Sequence, residues 1–168
     1  IYNQREAGQP ANFSFFNVSP KWTINWLTYV QDDPTFPGAS VTRYVGGGGL
    51  ETYFGYDDKS GSFAREANTK SGALLIRSLH DPIRYDRLLQ DGTREVYAQS
   101  DSSTSFPRRV FLSSIVDPQG NVLTLNYDSQ QRLLSLTDAT GRNTNFSYGL
   151  QNNPLLITQI TDPFGRSA

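Results

Sequence analysis

Two tryptophans and a tyrosine carry the first candidate chemistry. In "KWTINWLTYV", Trp22, Ile24 and Trp26 alternate, and Tyr29 follows three residues on. On a strand, alternate side chains share one face. The pair would then form a platform for the C–H surface of a pyranose ring, with Trp22, Trp26 and Tyr29 as stacking residues. The bland alternative is a core position or plug, since tryptophan and tyrosine bring the largest apolar payload to an interior. His80 is the single histidine and precedes Asp81. A triad needs imidazole between nucleophile and acid, which sequence adjacency does not provide, and no G-x-S-x-G supplies the nucleophile. A hydrolase using Asp and His80 therefore ranks last. Asp57-Asp58-Lys59-Ser60-Gly61-Ser62 spaces oxygens like a calcium loop, but Lys59 puts a cation where a ligand belongs. Gly46–Gly49 has no Gly-Lys-Ser/Thr after it and no helix to open, so it reads as a bend or bulge, not a phosphate cradle. With no cysteine and one histidine, zinc sites lack their ligands; no cofactor or metal is expected. Asn12-Phe13-Ser14, Asn17-Val18-Ser19 and Asn145-Phe146-Ser147 match the glycosylation sequon, which matters only in a eukaryotic secretory pathway.

The elements that position these residues follow from composition and period. The 168 residues fit one domain, and hydrophobic residues make up only 36%. Aromatics reach 12%, and 14 glycines and nine prolines accompany them, a mixture that favours short strands joined by tight turns. Fifteen basic and sixteen acidic residues leave a net charge of −1. No basic run exceeds Arg108-Arg109, so nucleic acid and anionic membranes are not expected partners. No apolar run is long enough for a membrane span. The chain holds no methionine, starts at Ile1 and stops at Gly165-Arg166-Ser167-Ala168, where a turn would feed another strand. The expectation is a piece of a longer protein.

A repeat fills the last third. Asp117-Pro118-Gln119-Gly120 is followed seven residues after its glycine by Tyr127; Asp138-Ala139-Thr140-Gly141 is followed in the same way by Tyr148. A third copy opens at Asp162-Pro163-Phe164-Gly165-Arg166, 24 residues after the second where the first interval is 21. Leu123, Leu125 and Tyr127 alternate with Val122, Thr124 and Asn126; Thr144, Phe146 and Tyr148 alternate with Asn143, Asn145 and Ser147. Period two predicts strands, and D-x-x-G predicts turns in which Asp bonds its own backbone and Gly supplies positive φ. Tyr127-Asp128-Ser129-Gln130-Gln131-Arg132 is the opposite turn of the meander. Each unit is thus a β-hairpin of 21 residues, and repetition implies stacking.

Upstream, Ile83–Gln99 predicts a hairpin around Asp91-Gly92, and Val41–Tyr56 two strands around Gly46–Gly49. Asp57–Gly72 and Asp101–Ser105 read as loops. No segment shows a capped helical stripe. The fold class is all-β: antiparallel hairpin repeats in a twisted, curled sheet, divided into strands and loops at 1–107 and repeats at 108–168.

Tyr127, Asp128, Arg132, Leu133, Thr137, Asp138, Gly141, Arg142 and Tyr148 spell Y-D-x-x-x-R-L, T-D-x-x-G-R and a closing tyrosine. The pattern resembles the YD repeat of the Rhs family of bacterial proteins, found also in the C component of Tc toxins and in teneurins. Asp117, Gly120, Asp162, Gly165 and Arg166 extend it, and "NVSPKWTINWLTYVQDDP" and "IRYDRLLQDGTREVYAQ" resemble the opening segment of long Rhs chains. Gln131 stands where the repeat usually has glycine, which predicts a looser turn or one of another type. The resemblance implies a secreted or cell-surface bacterial protein whose repeats spiral into a hollow shell around a C-terminal toxin. Neighbouring repeats and that cargo would be its partners, and it would have no catalysis of its own. Rhs shells end in a self-cleaving D-P-x-G-L segment; here Arg166 replaces the leucine, and Asp162–Gly165 keeps register with the earlier turns, so it reads as an ordinary repeat turn. The alternative function is an adhesion or carbohydrate-binding module using Trp22, Trp26 and Tyr29.

Overall fold

The computed structural model describes residues 15–19, 22, 24–46, 48–64 and 71–168. Among them there is no helix, and eleven antiparallel strands join in one sheet. They are β1 (Tyr29–Asp32), β2 (Val41–Tyr44), β3 (Leu50–Tyr53), β4 (Leu74–Arg77), β5 (Tyr85–Leu88), β6 (Arg94–Ser100), β7 (Arg108–Val116), β8 (Val122–Tyr127), β9 (Leu133–Thr137), β10 (Asn143–Ser147) and β11 (Gln159–Thr161).

The sheet branches at β7, the longest strand. One edge of β7 pairs with β6; the other is shared end to end by β1, at Arg108–Phe111, and β8, at Ser114–Val116. One branch runs β1–β2–β3 and another β6–β5–β4. The polar stretch predicted as a loop contributes to joining them. The Ala64 N–H donates to the Phe54 carbonyl at 2.9 Å and the Phe63 N–H to Leu75 at 2.9 Å, while Gly61 accepts from the Arg77 N–H at 2.7 Å. Phe63, 1% exposed, anchors that segment beneath Tyr56 and Tyr85. Its single large aromatic outweighs the polar composition around it. The remainder of that predicted loop, 65–70, lies outside the described residues.

The third branch, β8–β9–β10–β11, is the repeat. It runs out from β7 as an open, uncurled ladder, so the curl expected of the repeats is not present within these residues. Its two faces differ as period two requires. Leu125, Leu133 and Phe146 are buried on one face. On the other, the Asn126 amide donates to the Ser135 and Thr137 hydroxyls, each at 3.0 Å, and Thr137 donates to the Asn143 side-chain oxygen at 2.7 Å. Phe16 packs against Tyr127 with ring centroids 6.2 Å apart and is fully buried. The same segment pairs with the last repeat, the Asn17 N–H donating to Leu155 at 3.0 Å and the Ile157 N–H to Asn17 at 2.8 Å. The longer second interval has its cause here. Six residues separate Tyr127 from Leu133, whereas nine separate Tyr148 from Ile157, and the longer connection carries the residues that grip Asn17.

Most hairpins close in one way. At Asp117, Asp128, Asp138 and Asp162 the residue accepts from the N–H three places on and donates to the carbonyl four places on, and Leu89 and Val45 do the same upstream. This is a type I turn followed by one left-handed residue, the usual three-residue hairpin loop. Gly120, Gly141 and Gly165 fill the left-handed position at φ 89, 82 and 80°. Gln131 fills it at φ 60°. The turn at Gln131 is therefore neither looser nor of another type. Its amide accepts from Gln99 at 3.1 Å and donates to the Ser100 carbonyl at 3.2 Å, bonds that offset the strain of a side chain at positive φ.

Candidate functional site

Three constellations are built on this frame: the repeat residues, a buried box of charge, and a cleft. Asp117, Asp128, Asp138 and Asp162 act alike. In each, Oδ1 accepts the N–H groups two and four residues on, at 2.8–3.0 Å. The residue four on then returns to Oδ2: Asn121 at 2.7 Å, Arg132 at 2.7 Å and Arg166 at 2.5 Å. The Arg142 guanidinium lies 5.6 Å over the Phe164 ring instead. All four carboxyls are held below their ordinary range. At Asp117 the Asn121 side-chain bond is the largest influence, and at Asp138 the Arg142 N–H bond. At Asp128 and Asp162, partial desolvation opposes the shift but is overcome by bonds from Arg132 and Arg166.

The two repeat tyrosines are equally regular. Tyr127 donates to the Leu112 carbonyl at 2.7 Å and Tyr148 to the Leu133 carbonyl at 2.8 Å. Donors and acceptors are each 21 residues apart. Burial pushes both phenols up, so they stay protonated as donors. The Arg132 guanidinium sits 4.8 Å over the Tyr148 ring. Thr137 belongs to the polar face, and Leu133 is fully buried in the core.

The box was not anticipated. Arg43 and Glu51 face each other across β2–β3, and Arg87 and Glu95 across β5–β6. The two hairpins meet, and each arginine takes the tyrosine of the other: Arg43 Nε donates to Tyr97 at 2.6 Å, and Arg87 Nε to Tyr53 at 2.9 Å. Each guanidinium also reaches both carboxylates at 3.2–3.3 Å. Arg43 and Arg87 are 7% and 3% exposed. Buried charges persist only when paired and hydrogen-bonded in this way. The sequence did hold a signal, because "RYVGGGGLETY" and "RLLQDGTREVY" share Arg, then Glu eight residues on and Tyr after two more. A second buried ion pair joins β1 to β7: Arg108 grips Asp32 at 2.9 and 2.6 Å, and Tyr85 donates to the same carboxylate at 2.7 Å.

A cleft of about 600 Å³ opens where Trp22, Ile24, Asn25 and Trp26 overhang Arg43 and Glu95. Both tryptophans line it, but not as alternate residues of a strand. The Leu27 N–H bonds the Ile24 carbonyl at 3.0 Å and the Thr28 N–H the Trp26 carbonyl at 3.1 Å, which turns the chain. That turn rests on Gly46, where a Cβ would lie 2.5 Å from the Asn25 carbonyl oxygen. Close backbone approach, not phosphate, explains a glycine there. Tyr29 is not brought to the cleft. It stacks on Tyr44 at 5.2 Å and packs against Phe111 and Phe15.

His80 is exposed in a bend, and its carbonyl accepts from Ser78 at 2.7 Å. Asp57 spends both carboxylate oxygens on its own turn, accepting from the Lys59 N–H and Ser60 hydroxyl. Among the described residues no cluster of His, Asp or Glu could hold a metal ion, and no helix is long and apolar enough to cross a membrane.

The repeat geometry coincides with a family match: the RHS Repeat model matches at residues 112–142 and again at 127–167. Over these residues, a third of the chain, the sequence is similar to RHS repeats. The matches open at Leu112, whose carbonyl receives Tyr127, and run through Arg166, which closes on Asp162. They contain both tyrosine bonds and all four aspartate turns. No curated protein matches the chain.

Proposed function

We propose that this RHS-repeat chain is a non-enzymatic segment of a shell wall in a secreted or cell-surface bacterial protein, enclosing a C-terminal toxin or effector until delivery. The observation that carries this reading is the tyrosine bond repeated at a 21-residue interval, Tyr127 to Leu112 and Tyr148 to Leu133. A bond that joins each hairpin to the preceding strand at constant spacing can be added indefinitely, and a wall needs that property. Beyond the third aspartate turn the main chain pairs back on β11, where Ile160 and Ala168 exchange N–H···O bonds at 2.9 and 3.0 Å. The match to RHS repeats supports the structural role, and the ladder's amphipathic faces suit a wall with an inside and an outside. The unpaired N–H and C=O groups of an edge strand are a template for further strands. The isolated chain should therefore sediment faster as its concentration rises. A single monomeric species over a hundredfold concentration range would overturn the wall reading.

A second reading, a carbohydrate-binding or adhesion module, is favoured by one observation: both tryptophans of the chain line the same cleft.

A further inference from the structure

We infer that the cleft over Arg43 and Glu95 binds a neutral oligosaccharide, with Trp22 and Trp26 as stacking walls and Asn25 and Glu95 as hydroxyl-reading groups. The inference rests on the second reading above and names its ligand class; it is independent of the wall.

Size and lining come first. A volume of about 600 Å³ falls in the range of small-ligand sites, which pair apolar walls with a few convergent polar groups. Here Trp22, Ile24, Trp26 and Val45 are the walls, and Trp22 remains 44% exposed. Flat aromatic faces match the C–H face of a pyranose, while its hydroxyls require partners around the edge.

The electrostatics select the class. Arg43 is the cleft's only cation among the described lining residues, and its charge is met by Glu51 at 3.2 Å, Glu95 at 3.2 Å and the Tyr97 hydroxyl at 2.6 Å. No net positive charge is left for a phosphate, sulfate or sugar acid, and the lining carboxylate would repel one. The carboxylate itself has acceptor capacity to spare. Among the described residues, Glu95 Oε2 takes Tyr97 at 2.7 Å, Arg87 at 3.2 Å and Arg43 at 3.2 Å, whereas Oε1 takes a single long 3.4 Å bond from Arg43. A carboxylate oxygen accepts two such bonds, so Oε1 can receive a hydroxyl. Exposed Asn25 offers both a donor and an acceptor at the rim, fixed there by the seat of its backbone on Gly46.

The chain has two tryptophans and both lie in the cleft, so intrinsic emission reports occupancy directly. The experiment titrates cellotriose, maltotriose, chitotriose and, as the acidic control, 3′-sialyllactose against that emission. A saturable change is expected with at least one neutral trisaccharide and none with sialyllactose. Asn25→Ala, exposed and off the core, should raise Kd by about three- to tenfold, and Trp22→Phe should retain binding that Trp22→Ala loses. Unchanged thermal melting separates these effects from unfolding. No response to any sugar would overturn the inference and the second reading together. Binding of sialyllactose alone would overturn only the neutral class. Neutral binding that survives both Asn25→Ala and Trp22→Ala would place the sugar elsewhere and overturn the site.

Discussion

Tyr127 and Tyr148 each lend a phenol to a main-chain carbonyl in another strand, and their removal tests what the repeat bond is worth. Tyr127→Phe keeps the ring against Phe16 and Phe111 but leaves the Leu112 carbonyl without that donor. The expected loss is about 1–3 kcal/mol in denaturant unfolding, with a similar loss for Tyr148→Phe. The turn aspartates predict a pH dependence. Their folded pKa values are depressed, so their stabilisation is complete above the unfolded value of about 4 and disappears as pH falls through the folded values. Thermal melts should decline below about pH 4, and Asp138→Asn should flatten that decline. Gln131 separates strain from bonding: Gln131→Ala keeps the positive φ and loses both amide bonds, costing about 1–2 kcal/mol. Gln131→Gly loses the same bonds but relieves the backbone, and should remain within about 1 kcal/mol of the parent. The aspartate turns were legible in the sequence because the geometry is encoded within five residues. Gln131 was not, because its reason lies in Gln99 and Ser100, 32 and 31 residues away.

Between elements, the decisive contact is the meeting of β2–β3 with β5–β6. Arg87→Met removes one corner of the charge box and leaves Glu95 and Glu51 short of a partner, an effect expected to cost about 3–5 kcal/mol. Tyr97→Phe deprives Arg43 of its shortest bond and should cost about 1.5–3 kcal/mol. If chemical denaturation finds either variant as stable as the parent, the box is not what joins the hairpins. Sequence period predicted these strands and the Asp91-Gly92 turn well. It could not place their arginines, because charged residues default to the surface and only the pairing of two distant hairpins buries these. Trp22–Trp26 failed as a strand for the opposite reason: its alternation is real, but the bonds at Leu27 and Thr28 turn the backbone locally. The tryptophans reach one cleft through that turn, and Tyr29, beyond it, joins the aromatic cluster on β1, β2 and β7 instead.

For the whole molecule, two kinds of construction share β7. The first seven strands are held by buried polar pairs that cannot be extended, since each arginine, glutamate and tyrosine of the box already has its counterpart. The RHS repeats beyond β7 are held by bonds that recur, and an open ladder is the form such bonds produce over two and a half copies. Curl, expected from the natural twist of sheets, was not legible at this length because it accumulates over more strands than are present. We propose that the ladder continues into a wall around cargo. The most direct test is electron microscopy of the natural polypeptide that carries these residues. A closed hollow particle, with density inside and with residues 112–167 fitted in its wall, is the predicted result. An open rod or an extended chain with no interior would contradict it.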